Sequence, residues 1–287
     1  ISQCTITGNK ALNGGGVCFG EHSSPTLTGC TITANTASAG GGVYCGGDGA
    51  GITLEKCLIT NNTAEVGGGV FTERFDYARL TNCTIADNRI SGAVASSAGG
   101  VQSIEGDIMI RNSIVWYNQD EALSLIDSVS PNPVLFSNIE GNYPGQGNID
   151  LTPSFVSPTT GNYHLNSFTG HLNTGEWVMI NSPDDHSPCI DAGDPQDPVG
   201  AEPFPNSSHI NMGAYGGTTA ASKSFGGVIL HVDVTSGSDY NNSGLTRSQA
   251  FRTIQHAVEM SFDGDTILVW PGVYNETVKY QSKAITI

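Results

Sequence analysis

The sequence predicts an all-β protein: a right-handed parallel β-helix of three-stranded coils, a closing segment, and the beginning of a second β-helix with its own capping helix. A repeat of 24 to 30 residues, short runs of alternating apolar residues, and a change of pattern near residue 143 support this prediction. The expected boundaries are residues 1–157 for the first β-helix, 158–222 for the closing segment and 223–287 for the second beginning.

The repeat runs through the first half of the chain. Four columns of residues recur in it at fixed offsets: cysteine or serine, isoleucine or valine, asparagine, and a further aliphatic residue. A period in this range is typical of solenoids, in which each repeat is one unit stacked on the next. The columns hold Cys4, Cys30, Cys57, Cys83, Ser113 and Ser137; Ile6, Ile32, Ile59, Ile85, Val115 and Ile139; Asn9, Asn35, Asn62, Asn88, Asn118 and Asn142; and Ile1, Leu27, Leu54, Leu80, Ile110 and Val134.

Each repeat is interpreted as one circuit of the backbone. Ile52 and Leu54, and then Cys57 and Ile59, alternate with other residues at the period of a strand with one buried face. The alternation slips by one residue at positions 55 and 56, which predicts a bend between two strands. A third strand should begin at Val70, after three glycines that can take conformations closed to other residues. Such coils stack about 4.8 Å apart, so each column becomes a ladder.

The asparagine column is expected to be structural. Asparagine tolerates the left-handed conformation that a tight bend requires, and stacked side-chain amides can hydrogen-bond along the stack. Because the residue recurs once in every coil, a catalytic role explains it less well than a structural one.

Four of the seven cysteines stand in the core column, where a small thiol packs much as valine would. We expect free thiols, although neighbours one coil apart would be close enough for a disulfide. Cys18 and Cys45 follow their glycines at offsets that differ by one residue, so they should point to opposite faces. The cysteine spacings contain no CxxC pair, which argues against zinc.

From residue 143 to about 222 the repeat gives way to a segment rich in Pro, Asn and Gly. Its motifs are PSFV at 153–156, GNYHL at 161–165, SPCIDAGDP at 187–195 and INMGAYGGT at 210–218. Together with the repeats, these motifs resemble the closing region of β-helix repeat proteins from bacteria with large surface or secreted proteomes. The resemblance implies that the segment closes the stack, whose open end would otherwise expose backbone and core side chains.

From residue 223 the pattern changes again. After an alternating strand, Phe251, Ile254, Ala257, Val258 and Phe262 share one face of a helix expected over about 249–262. With SGSD at 236–239, GDTI at 264–267 and PGVY at 271–274, this region resembles the opening segment of pectin-lyase-like β-helices. In those proteins the helix plugs the N-terminal end of the stack, and some relatives are polysaccharide lyases whose catalytic residues lie on later coils.

Composition limits the partners. Acidic residues outnumber basic ones by 27 to 11, and the formal charge of −16 disfavours nucleic acid, whose binding needs a basic surface. We expect no transmembrane segment, because no apolar run approaches the ~18 residues that a spanning helix needs. The chain starts at Ile1 and stops at Ile287 inside an expected strand, so we read it as a fragment that is silent on signals and anchors.

One loop offers a metal site. Asp191, Asp194 and Asp197 are separated by Gly and Pro and form an oxygen-rich loop suited to calcium, although turn-forming aspartates explain the same spacing. We expect no other cofactor. The sequence contains no phosphate loop, HExxH motif or nucleophile elbow.

Two further groups resemble catalytic residues only superficially. Asp184, Asp185 and His186 include the paired carboxylates of a glycoside hydrolase, but they lie in a proline-bounded loop outside the coils. Arg74, Asp76 and Arg79 belong to a longer excursion that could flank a groove, and a solvated loop is the simpler interpretation.

We therefore expect a secreted or cell-surface repeat protein without a catalytic site, whose stacked polar faces contact a polysaccharide or a surface protein. The secreted location is inferred from the resemblance and from the acidic, lysine-poor composition. The alternative is a polysaccharide lyase, or another carbohydrate-active β-helix enzyme, with its active residues beyond Ile287. A purely mechanical spacer is the third hypothesis.

Overall fold

The computed structural model describes residues 1–73, 77–92, 97–126, 133–180, 182, 185–207, 209–224, 229–261, 264–280, 283 and 285–287. The first part of the chain forms a right-handed parallel β-helix, which is the fold class that the sequence predicted. The coils have three sides, each of which contributes one strand to a parallel sheet. We name these sheets A, B and C in the order in which the chain visits them.

All strand pairs in the three sheets are parallel, and residues of one column are direct register partners, as for Ile6 with Ile32 and Ile32 with Ile59. Sheet A contains Thr5–Thr7, Thr31–Thr33, Leu58–Thr60, Thr84–Ala86, Ile114–Trp116 and Asn138–Ile139. Sheet B contains Val17–Phe19, Val43–Cys45, Val70–Glu73, Val101–Ile104 and Leu123–Ile126. Sheet C contains Thr26–Thr28, Gly51–Glu55, Tyr77–Thr81, Asp107–Arg111 and Val134–Leu135. Between sheets A and B, Thr63–Ala64 pairs with Arg89–Ile90.

The bends form where the sequence pattern slips. Lys56, at the predicted bend between sheets C and A, has a left-handed backbone with φ +54°. The glycines before sheet B are needed for a second reason besides conformation. A Cβ at Gly41 would lie 2.5 Å from the carbonyl oxygen of Gly68 in the next coil, so only glycine permits the coils to stack this closely.

The closing segment packs against the side of the stack. Phe155–Ser157 forms an antiparallel pair with Asn162–Leu165, and His171–Asn173 forms another with Glu176–Val178. A 3-10 turn, Pro158–Thr160, joins the first pair, so this hairpin crosses residue 157, where the first β-helix was expected to end. The rest of the segment up to residue 224 consists mainly of turns.

A shared apolar cluster explains this position. The outward residues of sheet A are all threonine in the first two coils, whereas the next three coils add the apolar residues Leu58, Ala86, Ile114 and Trp116. Burying those residues drives the closing segment onto the side of the stack, instead of the end that the resemblance implied. The cluster joins Leu58, Ala86, Ile114 and Trp116 of sheet A to Phe155, Tyr163, Leu165, Cys189, Ile190, Met212 and Ala214 of the closing segment.

Residues 229–287 form a unit with its own core. Ile229–Val232 pairs in parallel with Thr266–Val269, and Thr266 forms a further parallel bridge with Thr286. The expected helix is shorter than predicted: a 3-10 turn covers Arg247–Gln249, and the α-helix covers Ile254–Met260. Ala257 and Val258 are buried in the core of this unit together with Phe251, as predicted, while Phe262 lies outside the described residues.

Side chains from outside the helix satisfy both of its ends, which helps to fix so short an element. The Glu276 carboxylate accepts hydrogen bonds from the N–H groups of Ile254 and Gln255, and the Lys283 ammonium donates to the carbonyls of Val258, Glu259 and Ser261. Within the described part of the chain, no helix is both long and apolar enough to span a membrane.

Candidate binding surface

The asparagine column forms a continuous hydrogen-bonded ladder from Asn9 to Asn118. The side-chain amide of Asn62 donates to the side-chain oxygen of Asn88 at 3.0 Å and to the carbonyl of Ile32 at 2.9 Å. The oxygen of Asn62 in turn accepts from the backbone and side-chain N–H groups of Asn35, each at 3.0 Å. The same pattern repeats in the neighbouring coils, so Asn35, Asn62 and Asn88 each link three coils.

The conformational explanation for asparagine was wrong at these positions. The left-handed residue is the one before each ladder asparagine, for example Ala34 with φ +56° and Asn61 with φ +55°. The ladder therefore rests on side-chain hydrogen bonds alone. Asn142 is itself left-handed, with φ +59°, and is exposed in the last turn, so it does not extend the ladder.

The cysteine column faces the core. Cys30, Cys57 and Cys83 are buried, whereas Cys4 in the first coil is exposed, and all seven cysteines are free. Each buried thiol donates to backbone carbonyls of its own bend and the preceding coil, as Cys83 does to Leu54 and Thr81. Cys18 is exposed and Cys45 is buried, which agrees with the opposite faces expected from their offsets.

The three candidate calcium ligands are drawn apart. Asp194 and Asp197 both pair with the guanidinium of Arg111, each at 2.8 Å, and the Asn112 amide donates to Asp197. Asp191 instead accepts a hydrogen bond from the Ser224 hydroxyl at 2.6 Å. In the residues that the structure describes, no group of three His, Cys, Asp or Glu side chains could hold a metal. The arginine thus supplies the positive charge that calcium was expected to supply.

A second buried carboxylate organises the closing segment. One oxygen of Glu202 accepts the N–H groups of Asn211 at 2.9 Å and Gly217 at 2.8 Å. Its other oxygen is buried without a hydrogen-bond partner. Burial raises the pKa of Glu202 to about 7 and also raises the pKa of Asp191, because an ionised carboxylate is poorly solvated there.

Two histidines of this segment, His164 and His186, are packed as neutral groups. His164 stacks on the Tyr215 ring with centroids 3.6 Å apart, and the His186 ring accepts the N–H of Phe168. Burial lowers the pKa of both His164 and His186 to about 4. Asp185 is exposed, and Asp184 lies outside the described residues.

The outer face of sheet C is the most open sheet surface of the described coils. The closing segment covers the later strands of sheet A, and the outward residues Tyr44, Phe71 and Gln102 of sheet B are buried. On sheet C, by contrast, the outward residues of successive coils are exposed or half-buried. We call these residues the open face; they are Thr26, Thr28, Thr53, Glu55, Tyr77, Arg79, Thr81, Asp107 and Met109.

Three coils build a polar and aromatic site on the open face. Gly51, Tyr77 and Asp107 are register partners in one row across the sheet. The Tyr77 ring occupies the space of a side chain at Gly51, since a Cβ there would lie 2.2 Å from ring atoms. The Arg79 guanidinium lies 5.2 Å from the centre of the same ring. One carboxylate oxygen of Asp107 is buried and has no hydrogen-bond partner in the described structure.

This arrangement was not identified from the sequence. Arg79 was considered there with Arg74 and Asp76, which lie outside the described residues. A signal was nevertheless present: aligned by the Leu54, Leu80 and Ile110 column, Gly51, Tyr77 and Asp107 fall at the same offset of three residues. The ladder columns were recognised because the same residue type recurs at one position in every coil. The site was missed because three different residue types occupy its position in successive coils.

The comparisons with known proteins agree with the geometry. A family model described as the right-handed β-helix region matches residues 1–167, which is more than half of the 287-residue chain. No curated protein and no solved structure matches the chain. With parallel coils, a ladder of stacked asparagines and this match in agreement, the chain belongs to the right-handed β-helix family.

Proposed function

We propose that this protein is a secreted or cell-surface β-helix repeat protein that binds a carbohydrate chain on the open face of sheet C, without cleaving it. The observation that carries the proposal is the row of Gly51, Tyr77 and Asp107 beside Arg79. Aromatic rings bury apolar sugar faces, while a carboxylate and a guanidinium hydrogen-bond to hydroxyl groups. The acidic, lysine-poor composition and the resemblance support the location.

The shape of the open face suits an extended ligand. Strand partners such as Thr53 and Arg79 stand one coil apart, so a chain lying along the stack meets one row of side chains about every 4.8 Å. The acids Glu55 and Asp107 share this face with Arg79, which favours a neutral glycan over a strongly anionic one. A surface protein is the other partner that a flat polar face of this kind would suit.

The proposal is tested by screening the purified protein on a glycan array and then titrating the best ligand by calorimetry. Tyr77→Ala should weaken binding at least tenfold, because it removes the aromatic surface. Tyr240→Ala is the matched control: this tyrosine is 97% exposed in the separate unit and should leave affinity unchanged. Equal affinity of wild type and Tyr77→Ala would refute the assignment of the site. Cleavage of a polyuronate that stops on chelation would instead favour the lyase alternative.

A further inference from the structure

The first β-helix ends on a coil that completes only two of its three sides. On sheet A, Ile149 forms a parallel bridge with Asn138, and its N–H donates to the carbonyl of Ser137. On sheet C, the N–H of Phe136 donates to the carbonyl of Gln146. Sheet B has no such continuation among the described residues, and Leu123–Ile126 is its last strand.

Backbone N–H groups of this last strand point toward the place where the next strand of sheet B would lie. In every earlier coil, the first N–H of the sheet B strand donates to the coil that follows. These bonds run from Val17 to Gly42, Val43 to Gly69, Val70 to Gly100 and Val101 to Ala122, at 2.9, 2.9, 3.0 and 2.8 Å. Leu123 is the register partner of Val101, so its N–H points away from the stack. A strand edge of this kind is a template for another extended chain.

A cleft of about 360 Å³ lies at the same end of the stack, between the last strand of sheet B and the final turn. Ala122, Leu123, Ile139 and the partly buried Tyr143 line its apolar part, and its polar part includes three carboxylates. These carboxylates belong to Asp120, Glu121 and Glu140, all of which are exposed. Glu140 is held in place by the N–H of Tyr117, which donates to it at 2.8 Å.

We propose that this end of the β-helix binds an extended peptide, which adds to sheet B as a parallel strand beside Leu123–Ile126. Carbonyls of the peptide accept the outward N–H groups, and an apolar side chain enters the cleft beside Leu123 and Ile139. Basic side chains face Asp120 and Glu121. Strand addition draws affinity from main-chain hydrogen bonds and specificity from side chains at alternate positions. A small anion does not fit, because three carboxylates line the cleft.

The sequence of the chain itself supplies a probe. Residues 99–104 contain the sheet B strand Val101–Ile104, which stands next to the last one, and they begin with the Gly-Gly-Val pattern common to earlier coils. A fluorescein-labelled peptide Gly-Gly-Val-Gln-Ser-Ile-Lys-Lys therefore carries the apolar pattern of a further coil and two basic residues. Fluorescence anisotropy with the full chain should show saturable binding. A peptide with proline in place of Gln and Ile should bind at least tenfold more weakly, because it lacks the N–H groups that would donate to the outward carbonyls of Leu123 and Leu125.

Two variants test the two halves of the interaction. Leu123→Pro removes an outward N–H and keeps the bonds to Val101–Ile104, so it should weaken binding at least fivefold. The double variant D120K/E121K should also weaken binding at least fivefold, and more at low salt than at high salt. The variant E21K/E65K is the matched control, since it makes the same charge change at exposed sites away from the cleft and should bind like wild type at high salt.

The outcomes separate clearly. If Leu123→Pro fails to fold, as judged by circular dichroism, the charge variants decide alone. Equal loss in D120K/E121K and E21K/E65K at high salt would overturn the proposal, since it would show attraction to net charge only. Absence of saturable binding at millimolar peptide would overturn it as well.

Discussion

The guanidinium of Arg111 lies 2.8 Å from a carboxylate oxygen of Asp194, and this ion pair joins a strand of sheet C to the closing segment. Asp194 is buried, and its N–H donates to the side-chain oxygen of Asn112, the neighbour of Arg111. The contact thus fixes both the charge and the backbone of the loop that the sequence had offered as a calcium site.

Removing this arginine should loosen the closing segment. Arg111→Met leaves Asp194 as a buried charge without its partner, and we expect a loss of about 2–3 kcal/mol in the free energy of unfolding. Urea denaturation and limited chymotrypsin digestion will measure the effect, with early cleavage expected at the aromatic residues between positions 155 and 224. Arg79→Met, on the exposed open face, is the control and should change stability by less than about 0.5 kcal/mol. Equal effects of the two substitutions would contradict the importance of the pair.

The asparagine ladder should make a large contribution to stability. The side chain of Asn62 makes four hydrogen bonds in a fully buried position, and Asn62→Ala leaves their partners without replacement. We expect a loss of about 3 kcal/mol, because each unsatisfied buried group costs about 1–3 kcal/mol. The shift of the urea midpoint, monitored by circular dichroism, gives the value.

Asn142→Gly is the control for the ladder. This substitution keeps the left-handed backbone of an exposed turn, so stability should stay within about 0.5 kcal/mol of wild type. A loss at Asn142 as large as that at Asn62 would place Asn142 in the ladder after all.

Stability should depend on pH through Glu202. Its pKa in the folded chain is raised to about 7, so the stabilising contribution of its protonated form is complete below the ordinary value of 4.5 and is lost as the pH rises through 7. Glu202→Gln keeps an oxygen for the N–H groups of Asn211 and Gly217 but cannot ionise. The difference in the free energy of unfolding between the variant and wild type should therefore shift in favour of the variant by on the order of 2 kcal/mol from pH 5 to pH 8. Melting curves across this range give the comparison, and a pH-independent difference would speak against a titrating Glu202.

Buried histidines should produce the opposite trend at acid pH. The pKa values of His164 and His186 are lowered to about 4 in the folded chain. Their neutral forms therefore contribute to folding stability fully above pH 6.5, and this contribution is lost as the pH falls toward 4. The pKa of each imidazole, measured by NMR from its chemical shift as a function of pH, will check this prediction. Titration of both histidines near 6.5 would show that neither is buried in solution.

Thiol reactivity should follow burial. In the native protein, a thiol reagent should modify Cys4 and Cys18, with Cys18 reacting more slowly near pH 8 because burial raises its pKa. The other five cysteines should react only after unfolding. Mass spectrometry of the modified peptides identifies the sites, and fewer than seven modified thiols in denaturant without reductant would reveal a disulfide.

The sequence was sufficient to predict the stack because each coil of a solenoid appears in the sequence as one repeat of nearly constant length. Val17, Val43, Val70 and Val101 begin strands as predicted, since the glycines before them and the alternating apolar residues act locally and recur in these four coils. The bend at Lys56 was likewise visible as a slip in the alternation.

Other features depended on contacts between distant segments and had no period. The pairing of Arg111 with Asp194 and Asp197 joins residues more than 80 positions apart, so spacing alone suggested a calcium loop instead. Tyr77 and Asp107 become a site only because they share a row on neighbouring coils. The sequence by itself thus determined the repeating coil, through local periodicity. The tertiary structure decided which face of the stack is covered and which is open, because that choice depends on where the non-repeating closing segment can bury its apolar residues.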